Sequence, residues 1–337
     1  MSHHSRLLFV LSLILLSWPV SAHADRKKPD TCVYQSPAGA LVQVESLDKV
    51  PAEYRARARC FSGELNTNLA APADITLNGN IAAETITSSL GPVKLRWPRT
   101  VEQLFGRSPL RAVTDAARTV SRVIKTSSFP AYVQNMNVTW NIVFMDENLP
   151  AQQIPFNLVS ACHPGWMTPP ANIYIVAQRV AAGCGNAPRS STSVADSTLA
   201  EVLVHEMGHA VEFQLLKGNS GEDRMRAEGF ATWFALYAAD YSSIMNGSEF
   251  KSNLFQNARY AIRQTPNSFE FQGTALDYAR AAMYFVTIVD RRGLPGLMDV
   301  YSSITDEHLS FFAAISKKSY WDKKQLDDEV AKRAQKN

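Results

Sequence analysis

The sequence has no dense run of lysine or arginine, and its formal net charge at pH 7 is only +3. Proteins that bind nucleic acid usually carry a basic patch or stripe, so nucleic acid is not an expected partner. Beyond residue 20, no apolar run approaches the length of about 18 residues that a transmembrane helix needs. We therefore expect no stable membrane insertion of the processed chain.

The one long apolar run lies at the N-terminus, where residues 7–20 follow Arg6, the lone basic residue of a short leading segment. At 14 residues the run is too short to span a bilayer comfortably. Ala22 and Ala24 then form a small-x-small cleavage site. This pattern predicts a bacterial secretory signal peptide, cleaved after Ala24, and a periplasmic or secreted protein; the alternative is an uncleaved signal anchor.

Cysteine is scarce, and the four residues are Cys32, Cys60, Cys162 and Cys184. No two of them have the close spacing of zinc ligands, which argues against a cysteine zinc site. An even number in an exported chain predicts two disulfides. Three pairings are possible, and we favour the local ones, Cys32–Cys60 and Cys162–Cys184.

Histidine is also scarce, yet two of the seven fall within residues 205–209, which read His-Glu-Met-Gly-His. Four positions are just over one helical turn, so on a helix His205 and His209 project from one face. Two neutral imidazoles at this spacing can bind Zn²⁺, and Glu206 between them can serve as general base toward the activated water. The alternative is an amphipathic helix with two satisfied histidines.

The neighbouring residues favour a helix around this motif. Residues 196–198 (Asp-Ser-Thr) offer N-cap side chains, and Glu201 follows Thr198 at the spacing of a capping box. Apolar residues then recur at helical spacing up to Leu215, and residues 217–218 (Lys-Gly) provide a stop.

A catalytic zinc site needs a third protein ligand, and Glu228, 19 residues after His209, is the best candidate. It lies in a second predicted helix that runs to about residue 241 and is rich in aromatic residues. A glutamate in so apolar a stretch is costly unless it is paired or binds a metal. The alternative is that Glu228 only complements the helix dipole, and Glu222 and Asp223 are rival ligands in a predicted loop.

Residues 205–209, followed by residues 228–233 (Glu-Gly-Phe-Ala-Thr-Trp), resemble the gluzincin zinc metallopeptidases of the thermolysin-like clan, and most closely the bacterial peptidase MA-like domains. The resemblance covers about residues 130–300. It implies that His205, His209 and Glu228 bind one Zn²⁺ ion and that Glu206 is the catalytic base. The chain departs from thermolysin at Thr232, where that enzyme has an aspartate that orients a ligand histidine.

The resemblance also implies a tyrosine or histidine that stabilises the oxyanion. Residues 277–286 predict a third long helix, whose beginning resembles the helix that follows the glutamate helix in peptidase MA-like domains. Tyr278 is our candidate; the alternative is a tyrosine with its ring in the core and its hydroxyl at the rim. His308 and His163 are further candidates, although a lone histidine is more often a solvated loop residue.

Zincins usually bind an extended substrate along an edge strand. Residues 172–176 (Asn-Ile-Tyr-Ile-Val) form a predicted strand, and the composition of residues 138–144 predicts a neighbouring strand. If residues 173–176 are the edge, their backbone could hold a peptide by strand addition. The alternative is an ordinary core strand.

The predicted organisation has four parts, which are a signal peptide (1–24), a small disulfide-closed β module (25–62), a linker (63–92) and a metallopeptidase domain (93–337). The alternative for the linker segment is a set of loose strands. In the module, residues 33–35 and 40–44 predict a β-hairpin. Residues 46–55 (Ser-Leu-Asp-Lys-Val-Pro-Ala-Glu-Tyr-Arg) resemble a small exported bacterial module of unknown function. Residues 108–126 predict a helix, and nearly all of the chain after residue 195 looks helical.

The sequence thus predicts an α+β, zincin-like domain with a small sheet and a mostly helical C-terminal part. The predicted activity is zinc-dependent hydrolysis of peptide bonds in a peptide or protein substrate. Two alternatives are a zinc-binding envelope scaffold with a vestigial peptidase site and a structural envelope protein without metal. The substrate, the oligomeric state and the choice between endopeptidase and exopeptidase are not predicted.

Overall fold

The computed structural model describes residues 31–35, 41–44, 47–52, 55, 59–61, 77, 79–145, 163–182, 192–219, 223–265 and 271–336. The chain divides into two compact units, Met1–Asn66 and Thr67–Asn337. The predicted signal peptide, Cys162 and Cys184 lie outside the described residues.

The first unit contains a three-stranded antiparallel sheet and a short 3-10 helix, Leu47–Lys49. Its strands are β1 (Thr31–Gln35), β2 (Leu41–Val44) and β3 (Arg59–Phe61), in the order β2-β1-β3. The predicted hairpin is therefore confirmed as β1 and β2. Cys32 and Cys60 are register partners on β1 and β3, while both disulfides stay predictions.

The second unit contains a five-stranded mixed sheet in the order β4-β5-β6-β8-β7. The strands β5, β6 and β8 run parallel, and the two outer strands are antiparallel to their neighbours. The strands are β4 (Ile81–Ile86), β5 (Val93–Pro98), β6 (Trp140–Met145), β7 (Gly165–Thr168) and β8 (Asn172–Val176).

Two expectations about the strands need correction. Residues 172–176 do form a strand, but β8 lies between β6 and β7, so among the described strands β7 is the edge on this side. The reason is the tight turn after Thr168, which folds β7 back against β8 as a hairpin. The segment predicted as a linker also contains β4, which pairs with β5 through the whole strand.

The helices of the second unit precede, separate and follow the strands. They are α1 (Thr100–Phe105), α2 (Leu110–Thr126), α3 (Ala131–Gln134), α4 (Ala177–Ala182), α5 (Thr192–Leu215), α6 (Arg224–Ala238), α7 (Gly247–Gln264), α8 (Ala275–Asp306), α9 (Phe311–Ser319) and α10 (Lys323–Lys336). A 3-10 turn, Ala239–Tyr241, extends α6, and Gly293 interrupts α8. The predicted helices around residues 108–126, 205–209, 228 and 278 are thus present.

The helix that carries the motif begins earlier than predicted. It already includes Thr192, so Asp196 and Ser197 lie inside α5 and do not cap it. Their polar groups are used within the fold, because Asp196 pairs with Arg107 and the Ser197 hydroxyl donates to Glu201. The end of α5 is as predicted, since Lys217 and Gly218 both have positive φ.

The sheet separates two apolar clusters because successive side chains of a strand point to opposite faces. Ile173 and Ile175 of β8 join the main core, which the helices cover. Tyr174 and Val176 face the other way and form a smaller cluster with Trp166 of β7. The main core therefore lies between the sheet and the helices, and α5 packs against β7 and β8 at its border. The second unit is an α+β domain.

No helix among the described residues is both long and apolar enough to cross a membrane.

Candidate metal centre

The two histidines of the motif project from one face of α5, as their spacing predicts. The ring centroids of His205 and His209 lie 4.8 Å apart, and the rings are almost perpendicular, at 88°. Both side chains are mostly buried, with 19% and 16% of their surfaces exposed. Their edges therefore converge toward a small, partly open space beside the helix.

Small residues let the neighbouring helices approach this face. A Cβ atom on Gly208 of α5 would lie 3.2 Å from the Ala231 Cα atom of α6. A Cβ atom on Gly229 of α6 would lie 2.9 Å from the backbone of Ala281 on α8, closer than such atoms come in real structures. The backbones of the three helices therefore approach closely at these two glycines, and the residue before Gly229 is held near α5.

That residue is Glu228, the predicted third ligand. Its Oε2 atom lies 3.3 Å from the Nε2 atom of His205 and 3.3 Å from the Nε2 atom of His209. One ligand atom from each of the three residues falls within 4.8 Å of the other two. The structure thus brings together the three side chains that the sequence singled out, and this group could hold a metal ion.

The electrostatics of the three groups follow from their burial and proximity. Burial alone would raise the pKa of Glu228, but the charge of His209 and hydrogen bonds from both histidines hold it well below its usual range. Burial lowers the pKa of His205. It also acts to lower the pKa of His209, yet Glu228 outweighs that effect and raises this pKa to about 9. The carboxylate and the imidazoles therefore stabilise one another.

Glu206 is buried beside this group and only partly satisfied. Its Oε2 atom has no hydrogen-bond partner among the described residues. Its Oε1 atom lies 3.2 Å from the position that a Cβ atom on Gly165 would take, so the glycine of β7 leaves the space that the carboxyl fills. Burial raises the pKa of Glu206 to about 8. A buried carboxyl oxygen without a hydrogen-bond partner is costly, and this one belongs to the residue next to His205.

Tyr278 also lies at this centre, as predicted. Its ring centroid is 6.0 Å from that of His205, and its hydroxyl oxygen is 3.3 Å from the Nδ1 atom of His163. Burial raises the pKa of Tyr278 far above its usual value, so the phenol stays protonated. His163, a minor candidate in the sequence, thus belongs to the site; it lies two residues before the edge strand β7, which the sequence did not predict.

Thr232 occupies the position where thermolysin has an aspartate. Its Oγ1 atom lies 3.5 Å from the Nδ1 atom of His205, on the side of the ring away from Glu228. The hydroxyl is therefore placed to orient the imidazole, in the way that groups behind metal ligands commonly do. This threonine supplies the orienting group that the sequence left unassigned.

Other candidates are placed elsewhere. Asp223 is the N-cap of α6, where its carboxylate accepts from the Arg226 backbone N–H at 2.9 Å. His308 is an exposed residue between α8 and α9. Glu222 lies outside the described residues. Neither Asp223 nor His308 belongs to the group of potential ligands found among the described residues.

Arg224 was not predicted as a site residue, yet it lies at the rim. Its Nε atom is 3.8 Å from the Oε1 atom of Glu228, one helical turn away on α6. Its guanidinium lies 5.3 Å from the centre of the Phe271 ring. The spacing of Arg224 and Glu228 was visible in the sequence, but the aromatic wall comes from the segment before α8.

No protein-family model matches this chain, and no curated protein matches it either. The resemblance to gluzincins stays a prediction.

Proposed function

We propose that this protein is a zinc-dependent peptidase of the gluzincin type. One observation carries the proposal: the Glu228 Oε2 atom lies 3.3 Å from the Nε2 atoms of both His205 and His209, beside a buried Glu206 with an unpartnered oxygen. A helix in which the two histidines had only a structural role would not need Glu206 between them. The finer description of the domain as zincin-like belongs to the same proposal.

The three side chains fit a zinc ion. Two imidazole nitrogens and a carboxylate oxygen are a common ligand set of catalytic Zn²⁺, and three protein ligands leave a coordination position for water or substrate. When bound, the ion would supply a Lewis acid that acidifies water and polarises a carbonyl group. The orphaned oxygen of Glu206 is consistent with a polar partner in this space.

The side chains around the ion would divide the remaining work. Glu206 accepts a proton from the attacking water and passes it to the leaving amine, since burial raises its pKa into the range where it can both accept and release a proton. Tyr278 stays protonated and can donate its hydroxyl hydrogen bond to the developing oxyanion. Thr232 and His163 keep His205 and Tyr278 in place.

The substrate would lie as an extended peptide beside β7. This strand is at the edge of the described sheet, and Gly165 at its start is next to Glu206. An edge strand suits strand addition, the role that the sequence had suggested for residues 172–176. We further propose that the protein is exported to the periplasm or the medium after removal of residues 1–24.

A comparison of wild type with Glu206→Gln tests the proposal. We expect the purified wild-type chain to contain a single Zn²⁺ ion and to cleave members of a peptide library. The variant should retain zinc and lose activity by about 10²–10⁴-fold, the usual contribution of a general base. Glu201→Gln, the same change elsewhere on α5, is the control and should stay active.

Other outcomes would contradict the proposal. Zinc without cleavage of any peptide by wild type would favour the zinc-binding scaffold. Wild type that binds no metal would favour a structural role. Full activity in Glu206→Gln would remove this residue from the mechanism.

A further inference from the structure

We propose that Arg224 is a carboxylate-binding residue that makes this site select peptides bearing a negative charge next to the bond that is cleaved. This inference rests on the proposed function and adds a substrate class to it. The carboxylate could come from an acidic side chain or from a free C-terminus. Both present the planar, two-oxygen group that a guanidinium binds with two parallel hydrogen bonds.

Arg224 lies next to a candidate metal ligand and is open to solvent. It is the first residue of α6 and precedes Glu228 by one turn, so the two side chains share a helix face. Its side chain is 47% exposed, whereas that of Glu228 is 16% exposed. The guanidinium therefore lies between the metal ligands and the solvent, where a bound substrate must pass.

The surroundings of Arg224 fix its direction. The guanidinium lies against the Phe271 ring, whose own edge packs against Tyr278 with centroids 5.3 Å apart. A Cβ atom on Gly273 would lie 3.2 Å from an Arg224 terminal nitrogen, so the glycine leaves room for it. Arg224, Phe271 and Tyr278 thus form one wall of the site, and preorganised side chains lose less entropy on binding.

The net charge around Arg224 would favour a bound anion. Arg224 is 3.8 Å from Glu228, which is longer than a hydrogen bond. A divalent cation held by Glu228 and the histidines would offset the charge of Glu228, and the Arg224 charge would then be in excess. The carboxylate of Asp277, the residue before Tyr278, is engaged elsewhere, because it accepts from Thr274 and from the Gln272 backbone N–H. A substrate carboxylate is the natural complement.

Binding measurements on the full-length, zinc-loaded protein carrying Glu206→Gln test this without relying on turnover, because this form should retain zinc and leave the probes intact. The probes are fluorescein-labelled hexapeptides in which Glu or Gln occupies each position in turn, with a free or an amidated C-terminus. We expect at least one Glu or free-carboxylate peptide to bind about 10- to 100-fold more tightly than its neutral counterpart. Arg224→Gln should abolish that preference, and Arg224→Lys should restore part of it. Arg111→Gln, an exposed arginine of α2, should retain it.

The two sources of the carboxylate are separated by which peptide pair shows the preference. The proposal is overturned if, with Arg224 intact, every charged peptide binds within about threefold of its neutral partner, or if none binds at all. It is also overturned if Arg224→Gln loses zinc and weakens all peptides equally, because Arg224 would then only hold Glu228. Cleavage by wild type without charge preference would contradict this inference while leaving the proposed peptidase activity intact.

Discussion

Two clusters of polar side chains lie between the same three helices, α5, α6 and α8, and they differ in how completely they are paired. In the first, which we call the buried lock, the Glu212 Oε1 atom accepts from Arg226 Nε at 2.9 Å and from the Tyr301 hydroxyl at 2.5 Å. All three residues are almost fully buried. The second cluster is the candidate metal centre, with His205, His209 and Glu228.

The clusters are close in sequence, since Glu212 follows His209 by three residues and Arg226 precedes Glu228 by two. In the buried lock each charge meets an opposite charge or a donor, which suits a purely structural role. At the candidate centre, the side chains are partly open and Glu206 has an oxygen without a partner among the described residues. Incomplete pairing of buried polar groups, rather than their presence, therefore marks the place where a ligand is expected.

We expect the largest effect from Arg226→Met, which breaks the buried lock and leaves the candidate metal centre intact. The substitution leaves the Glu212 carboxylate buried without its cation, which should lower the free energy of unfolding by about 3–5 kcal/mol. Denaturant unfolding measures this loss, and the zinc content of the remaining folded protein should not change. The double variant Glu212→Leu with Arg226→Met removes both charges and should cost less. A single variant as stable as wild type would show that the lock does not stabilise the crossing.

A smaller loss is expected from Gly229→Ala, which acts on both clusters. Alanine is usually the better helix former, but here its Cβ atom would overlap the Ala281 backbone. We expect α8 to shift, a loss of about 1–3 kcal/mol in stability and weaker zinc binding through displacement of Glu228. Gly208→Ala meets looser contacts, at 3.2 Å, and should cost less. A gain in stability for Gly229→Ala would mean that the close crossing is not required.

The smallest effect is expected from Thr232→Val, which touches the metal centre alone. The change keeps the shape of the side chain and removes the hydroxyl near His205 Nδ1, so zinc affinity should fall about tenfold with stability little changed. Competition with a chromophoric chelator measures the affinity, and Thr232→Ser, which keeps the hydroxyl, is the control. Equal affinity in the valine variant would show that Thr232 does not orient the imidazole.

Much of the site could be predicted because its chemistry follows helical spacing. His205 and His209 share a helix face for local reasons, and the apolar stretch around Glu228 indicated a helix next to them. Tyr278 was found through a resemblance, and the structure brings it to the same place. The start of α5 was predicted wrongly, since the polar side chains of Asp196 and Ser197 look like caps in sequence but bond within the fold.

The edge strand and the residues at the rim of the site could not be predicted from local sequence patterns. The β7 strand is four residues long and carries little pattern, and its position depends on pairing with β8. His163 contacts Tyr278 across 115 positions of sequence, and only the tertiary fold brings them together. The wall formed by Arg224, Phe271 and Tyr278 likewise joins the starts of two helices.

The sequence by itself determined the helices, the face that His205 and His209 share and the type of ligand that Glu228 offers. These depend on interactions between residues within a turn or two of each other. The tertiary structure decided that Glu228 approaches both imidazoles, that β7 is the edge and that Arg224 lies at the mouth of the site. Those features depend on how closely helices and strands approach, which here is set by single glycines and by contacts between distant parts of the chain.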